Sequence, residues 1–149
     1  MATAQASELE TGKKGASRIQ CVVVTPERTL FDQLVDAVAL PLFDGELGVL
    51  PGRTPLIGRL GFGELRTTSG GVTNRYFVDG GFAQVRDNVV TVLTNRAILA
   101  AAVDQAAAAR ELEAAQGRRA LTDLDQAEKS KAIDRARALI RVAQNTGKK

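Results

Sequence analysis

The sequence predicts a two-part β + α fold, an all-β sandwich followed by an antiparallel pair of helices, and three observations carry that prediction. Residues 18–99 hold short runs of Val, Leu, Thr and Phe punctuated at close spacing by turn residues, the pattern of packed antiparallel strands. From residue 100 the chain changes to Ala, Glu, Gln, Leu, Lys and Arg, all good helix formers. The charge divides at the same place. The chain is neutral up to residue 99, and the formal excess of +3 lies entirely beyond it.

Three segments follow. Residues 1–17 are small and polar with no apolar periodicity, and are read as a disordered leader. They lack the apolar centre of a signal peptide, and Glu8 and Glu10 with no Arg before Arg18 are unlike a transit peptide. Within residues 18–99 the expected strands are Ile19–Thr25, Leu34–Leu42, Leu56–Ile57, Gly63–Ser69, Val72–Val78, Phe82–Arg86 and Val89–Thr94. Gly70-Gly71 and Asp87-Asn88 are hairpin turns, and Asp79-Gly80-Gly81 reads as a third sharp turn. Pro51-Gly52 and Pro55 keep the middle of the domain out of helix. Alternation sets Leu65 and Thr67 opposite Glu64, Arg66 and Thr68. The Val89–Leu93 run is apolar on both faces, as for a strand between packed layers.

Residues 100–149 form the helical hairpin, with a short basic tail. Asp104 caps a first helix that ends near Gln116 at Gly117. Asp123, with Gln126 three positions on, opens a second helix on which Ala132, Ala136, Leu139, Ile140 and Ala143 share a face. That stripe is mostly alanine. It buries little area, so the hairpin is expected to be weakly held and able to move. Arg135, Arg137, Arg141, Lys148 and Lys149 crowd the end of the second helix. Two readings stay open for them: complementing the helix dipole in solvent, or docking on an acidic protein surface or a nucleotide.

Composition excludes several chemistries. With no His, a His-based general base, a catalytic triad and a His-ligated metal are ruled out. The single Cys21 permits no intrachain disulfide, and in the run CVVV it reads as a buried small hydrophobe. No apolar stretch approaches the ~18 residues of a membrane span, so no membrane insertion of its own is expected. The five Phe and one Tyr all lie in the β segment, away from the basic helix, so no aromatic-interleaved nucleic-acid surface forms. Gly61-Phe62-Gly63 and Gly45–Gly48 both lack the ending of a phosphate loop. The expectation is a protein without enzymatic activity, metal or cofactor.

Three motifs in order resemble the epsilon subunit of F-type ATP synthases. Gly45-Glu46-Leu47-Gly48-Val49-Leu50-Pro51-Gly52-Arg53-Thr54-Pro55-Leu56 is similar to that family's GELGxxPGHxPL motif. Upstream, Val24-Thr25-Pro26-Glu27-Arg28 with Leu30-Phe31 resembles its opening strand and turn. Downstream, Asp79-Gly80-Gly81-Phe82-Ala83-Gln84-Val85 and Asn88–Leu93 resemble its closing hairpin. The resemblance implies a ten-stranded sandwich with two helices and a place on the central stalk. There the sandwich binds the gamma subunit and rests on the c-ring, which couples proton flow to ATP synthesis. It further implies that the hairpin can extend into the catalytic head of alpha and beta subunits and restrain hydrolysis. The location implied is peripheral, on the cytoplasmic side of a bacterial inner membrane.

Residue by residue, the resemblance assigns Glu46 and Arg53 to a c-ring-facing loop. Arg53 stands where the family usually has His, and Arg stays charged at every physiological pH, so no titration is expected there. Some relatives bind ATP through an Ile/Leu-Asp-x-x-Arg-Ala motif in the first helix. Here that place reads Val103-Asp104-Gln105-Ala106-Ala107-Ala108, without the guanidinium that would pair with phosphate. Ile133-Asp134-Arg135-Ala136-Arg137-Ala138 fits the pattern in the second helix. Asp104, Arg135, Arg137 and Arg141 are therefore the candidate regulatory or nucleotide contacts. The alternative function is a free-standing ATP-sensing module that binds nucleotide on the hairpin.

Overall fold

Positive backbone φ at Gly70 (59°), Gly71 (81°), Asp87 (51°) and Asn88 (63°) closes two tight hairpins at the places expected from sequence. Around them the computed structural model, which describes residues 18–148 with side chains through residue 145, has eight strands and two helices. The strands are β1 Ile19–Val24, β2 Thr29–Val35, β3 Ala37–Leu42, β4 Gly45–Val49, β5 Leu56–Ser69, β6 Val72–Arg86, β7 Val89–Leu93 and β8 Ala97–Leu99. A single 3-10 turn at Ala100–Ala102 leads to α1 Gln105–Gln116 and α2 Asp123–Lys148. The leader expected at residues 1–17 and the side chains of Lys148 and Lys149 lie outside the described residues.

Hydrogen bonding links the strands in the order β2-β1-β7-β6-β5-β3-β4, with β8 also on β6. All pairs are antiparallel except β1 with β7. The ribbon curls so that β1 and β3, well separated in that order, share one core of Ile19, Cys21, Val23, Val38, Leu40, Leu65, Val78, Val90 and Val92. Burial pushes the Cys21 thiol up to about 12, so it stays protonated and inert at neutral pH.

The curl is made along one line. In β5 the core-facing side chain is Leu60 before the line, and Gly63, Leu65 and Thr67 after it. The even-to-odd switch falls at Gly61-Phe62. In β6 Tyr76 and Val78 face the core before Gly80-Gly81, and Ala83 and Val85 after. β7 presents Val90 and Val92, and β8 presents Ala97. β5, β6 and the β7–β8 path thus exchange their inner and outer faces at the same level, where each passes from one layer of the sandwich to the other.

The structure departs from the sequence expectations at several strands. The strand count is eight, because β5 and β6 run unbroken through both layers with constant register from Leu56↔Val85 to Ser69↔Val72. Ten is reached only when each of these is counted once per layer. For the same reason Leu56–Ile57 and Gly63–Ser69 are one strand, as are Val72–Val78 and Phe82–Arg86. Asp79-Gly80-Gly81 is the layer crossing of β6 and not a turn. The expected strand Leu34–Leu42 is split at Asp36 into β2 and β3; the Asp36 carboxylate accepts from Gly70 N (2.8 Å) and pairs with Arg18 (3.3 Å). β4, in the GELG segment, and β8 were not anticipated. Leu93 is half exposed on an open outer face, so β7 is not enclosed on both sides.

The helices begin as side-chain chemistry dictates. The Asp104 carboxylate accepts from Ala106 N (3.0 Å) and Ala107 N (3.1 Å), capping α1. α2 is capped one residue earlier than expected, by Thr122 Oγ1 accepting from Asp125 N (3.1 Å). The shorter hydroxyl arm of Thr122 reaches that amide, while Asp123 is already helical. The hairpin lies against the second layer, where Ala108, Ala138, Leu139 and Val142 pack with Phe77 and Ala100.

The crossing makes a discriminating prediction. At Gly81 a Cβ would run into the Leu93 carbonyl in a left-handed backbone conformation, whereas Gly48 has open space and no positive φ. Gly81→Ala should cost at least about 3 kcal/mol in denaturant unfolding and Gly48→Ala less than about 1 kcal/mol.

Candidate functional site

No hydrogen bond or ion pair joins the six residues singled out from the sequence into one cluster. Glu46, exposed on β4, is held by Arg66 Nη2 at 2.6 Å. Arg66 also meets Glu64 (3.4 Å), and Glu64 meets Arg75 (3.2 Å), so a chain of charges crosses β4, β5 and β6. Arg53 is exposed in the turn after β4, where its amide reaches Leu50 O (3.3 Å) and Gly52 N donates to Asn88 Oδ1 (2.8 Å). Asp104 is occupied by its own helix terminus. Arg137 and Arg141, one turn apart on α2, are exposed and have no ion-pair partner among the described residues. Arg135 alone turns inward.

Its target is Asp79, only 8% exposed at the layer crossing of β6. Arg135 Nε donates to Asp79 Oδ1 at 3.0 Å, and its guanidinium lies 5.0 Å from the Phe62 ring centroid. On the other side Arg96 Nε stands 3.7 Å from Asp79 Oδ2, with its guanidinium 5.6 Å from the Phe77 ring. The Asp79 amide donates to Arg96 O (3.0 Å), with Thr94 Oγ1 at 3.1 Å, and its carbonyl accepts from Asn95 Nδ2 (3.3 Å). One buried carboxylate therefore meets two arginines, one from the sandwich and one from the hairpin, each lying over a phenylalanine.

The exchange of inner and outer faces gives the sandwich two different exteriors. On the second layer Phe62, Phe77 and Ile98 are covered by the hairpin. On the first layer Ile57 (74% exposed), Phe82 (56%) and Leu93 (51%) are open. Arg59 pairs with Phe82 and Phe82 with Leu93 across adjacent strands, while Phe43 extends the row by lying under the Arg59 guanidinium at 4.6 Å. Arg59 has no carboxylate partner among the described residues. An apolar row of this kind is the mark of a surface that meets another protein.

Neither Asp79 nor this row was singled out from sequence. An Asp within an apolar strand was a usable signal, since a buried carboxylate requires a partner. The row is not recoverable from alternation, because the outward positions switch parity at the crossing. Among the described residues no group of three or more His, Cys, Asp or Glu is placed to hold a metal ion, and no helix is long and apolar enough to cross a membrane.

These features define a two-part module: a β-sandwich with one open apolar face and a helical hairpin held against the other. The comparisons give the family. Residues 18–100 match the ATP synthase delta/epsilon chain β-sandwich domain. The ATP synthase epsilon chain of Rhodopirellula baltica is 52% identical over 125 residues, covering 84% of this chain and 98% of the relative. That of Nitratidesulfovibrio vulgaris strain DP4 is 39% identical, covering 83% and 93%. A chain in the Euglena gracilis mitochondrial ATP synthase structure, OSCP/F1/c-ring in rotational state 1, superposes with TM-score 0.74 at 25% identity, covering 87% of this chain and 84% of that one. A chain of the Tetrahymena thermophila mitochondrial ATP synthase central stalk/c-ring shares the fold, with TM-score 0.57 at 14% identity and coverage of 89% and 98%. This chain belongs to the ATP synthase epsilon-chain family, whose members are accessory subunits without catalytic residues.

The capping geometry carries its own test. Asp104→Ala removes the acceptor shared by two α1 amides and should lower the stability of the hairpin by about 1 kcal/mol, read as faster amide exchange in α1. Exchange in β1 and β7 should stay unchanged.

Proposed function

We propose that this chain is a rotor subunit of a proton-translocating F-type ATP synthase, joining gamma to the c-ring and so coupling proton flow to ATP synthesis. The observation that carries this reading is the open row Phe43–Arg59–Phe82–Leu93 with Ile57. A charge-neutral sandwich that keeps such a face uncovered is built for a permanent partner. Gamma is the partner that family membership supplies. The turns at the GELG segment and Leu50–Arg53, with Glu46 and Arg53 exposed, form the surface assigned to the c-ring. The complex would be peripheral, on the cytoplasmic side of a bacterial inner membrane, with the sandwich spanning residues 18–99 and the hairpin residues 100–149.

The hairpin is proposed to restrain ATP hydrolysis when it leaves the sandwich for the catalytic head. Only Ala108, Ala138, Leu139 and Val142 of the described hairpin residues are buried in the cluster it shares with the second layer, so the docked state is shallow. Arg137 and Arg141, uncommitted in the docked state, would meet acidic surface on the alpha or beta subunits. The ATP-sensing alternative has less support, since Asp104 is used as a cap, Arg135 is used on Asp79, and position 107 is alanine. Removing residues 104–149 from the chain in the assembled enzyme should leave assembly and synthesis intact and raise ATP hydrolysis several-fold. Unchanged hydrolysis would overturn the restraint. Heat on titrating millimolar ATP into the isolated chain would favour the sensing module instead.

A further inference from the structure

Asp79 is contacted by two arginines that belong to parts of the molecule with different freedom. Arg96 is part of the sandwich, in the link between β7 and β8, and stays with Asp79 whatever the helices do. Arg135 leaves when the hairpin leaves. In the docked state the two are unequal: Arg135 makes the short hydrogen bond at 3.0 Å, while Arg96 Nε stands off at 3.7 Å and is buried without a hydrogen-bond partner. A buried donor left unmade beside a carboxylate is a contact held in reserve.

We infer that Asp79, Arg96 and Arg135 form an exchange latch, in which Arg96 closes onto Asp79 as Arg135 departs. The carboxylate keeps a guanidinium in both states, so undocking exchanges one charge-assisted contact for another instead of losing it outright. Arg135 makes docking specific, and Arg96 keeps it reversible. Both arginines lie over phenylalanines of the sandwich, Arg96 over Phe77 and Arg135 over Phe62. The inference rests on the proposed reading of the hairpin as a movable element and gives that movement its chemical device.

The sign of the Arg96 effect is what distinguishes a latch from an ordinary ion-pair cluster. If both arginines only hold the docked state, losing either loosens the hairpin. In the exchange latch, losing Arg96 removes the partner that receives Asp79 on undocking, so the hairpin stays docked longer.

Thiol labelling of the full chain reads this directly. Ala138 is fully buried three positions after Arg135 on the sandwich-facing side of α2, and Ala138→Cys places a reporter there. Cys21, sealed in the sandwich core, labels only on global unfolding and serves as the internal control. In the A138C background, Arg135→Gln should speed labelling about tenfold, the usual worth of a charge-assisted hydrogen bond. Arg96→Gln should slow it, with Cys21 silent in both. Asp79→Asn should erase the effect of R135Q. Acceleration by R96Q matching that of R135Q, or an R135Q effect that survives D79N, overturns the latch. Where R96Q exposes Cys21 by unfolding, Arg96→Met, which keeps the stem against Phe77 and removes the charge, takes its place, with the same slowing expected and acceleration again overturning the latch. Because the readout is on the isolated chain, it stands apart from the hydrolysis assay, and either can fail without the other.

Discussion

The structure depends on one geometric constraint: β5, β6 and the β7–β8 path must change layers at the same level while keeping one register against each other. β5 does so at Gly61-Phe62, β6 at Gly80-Gly81, and the β7–β8 path at Thr94–Arg96. The close approach of β6 to Leu93 allows no side chain at Gly81, and the unpaired backbone of the third strand is tied down by Asp79 and Thr94. Because side chains alternate along a strand, the crossing converts one continuous ladder into a closed core with two unlike exteriors. The open apolar row and the hairpin-covered face are consequences of where that line falls.

The same line places a charge where the helices dock. Backbone groups exposed by the crossing need partners, and Asp79 lies at the point where its amide and carbonyl find them within the sandwich. Its carboxylate is left to face the second layer's exterior, and the hairpin supplies Arg135 to it. Among the described residues the hairpin buries only Ala108, Ala138, Leu139 and Val142 in the cluster it shares with the sandwich, so a single charge-assisted hydrogen bond is a sizeable fraction of what holds it. A leucine-rich interface of the same extent would make that bond irrelevant and the hairpin permanent. The small apolar contact and the proposed latch both describe a hairpin that is docked but releasable.

Much of this was legible in the sequence. The change of composition at residue 100, the Asp104 cap and the tight turns at Gly70-Gly71 and Asp87-Asn88 are local, and local chemistry fixes them. The burial of Cys21 followed from its valine neighbours. Strand continuity was not legible, because Asp79-Gly80-Gly81 has the composition of a turn and only its pairing with β5 on one side and the Asp79 N–H bond to Arg96 O on the other keep it extended. The two-sided apolar pattern of Val89–Leu93 was read as enclosure, when Leu93 belongs to the open row. Glu46 and Arg53 were placed through resemblance, and nothing in their spacing anticipated the Arg66 pairing of Glu46. Asp79 pairs with a residue 56 positions away, and no periodicity reports contacts of that range.

The central claim is that the open face of the first layer is the seat of gamma. The most direct measurement is affinity purification of the tagged full chain from detergent-solubilised membranes, with quantitation of what accompanies it, in the natural sequence and in an Ile57→Glu, Phe82→Glu variant. Both substituted positions are more than half exposed and outside the core, so the variant should fold. The account predicts gamma, the c-ring and the catalytic head in fixed ratio with the natural chain, and a folded variant recovered alone. A natural chain recovered alone, or a variant that retains gamma undiminished, would contradict it.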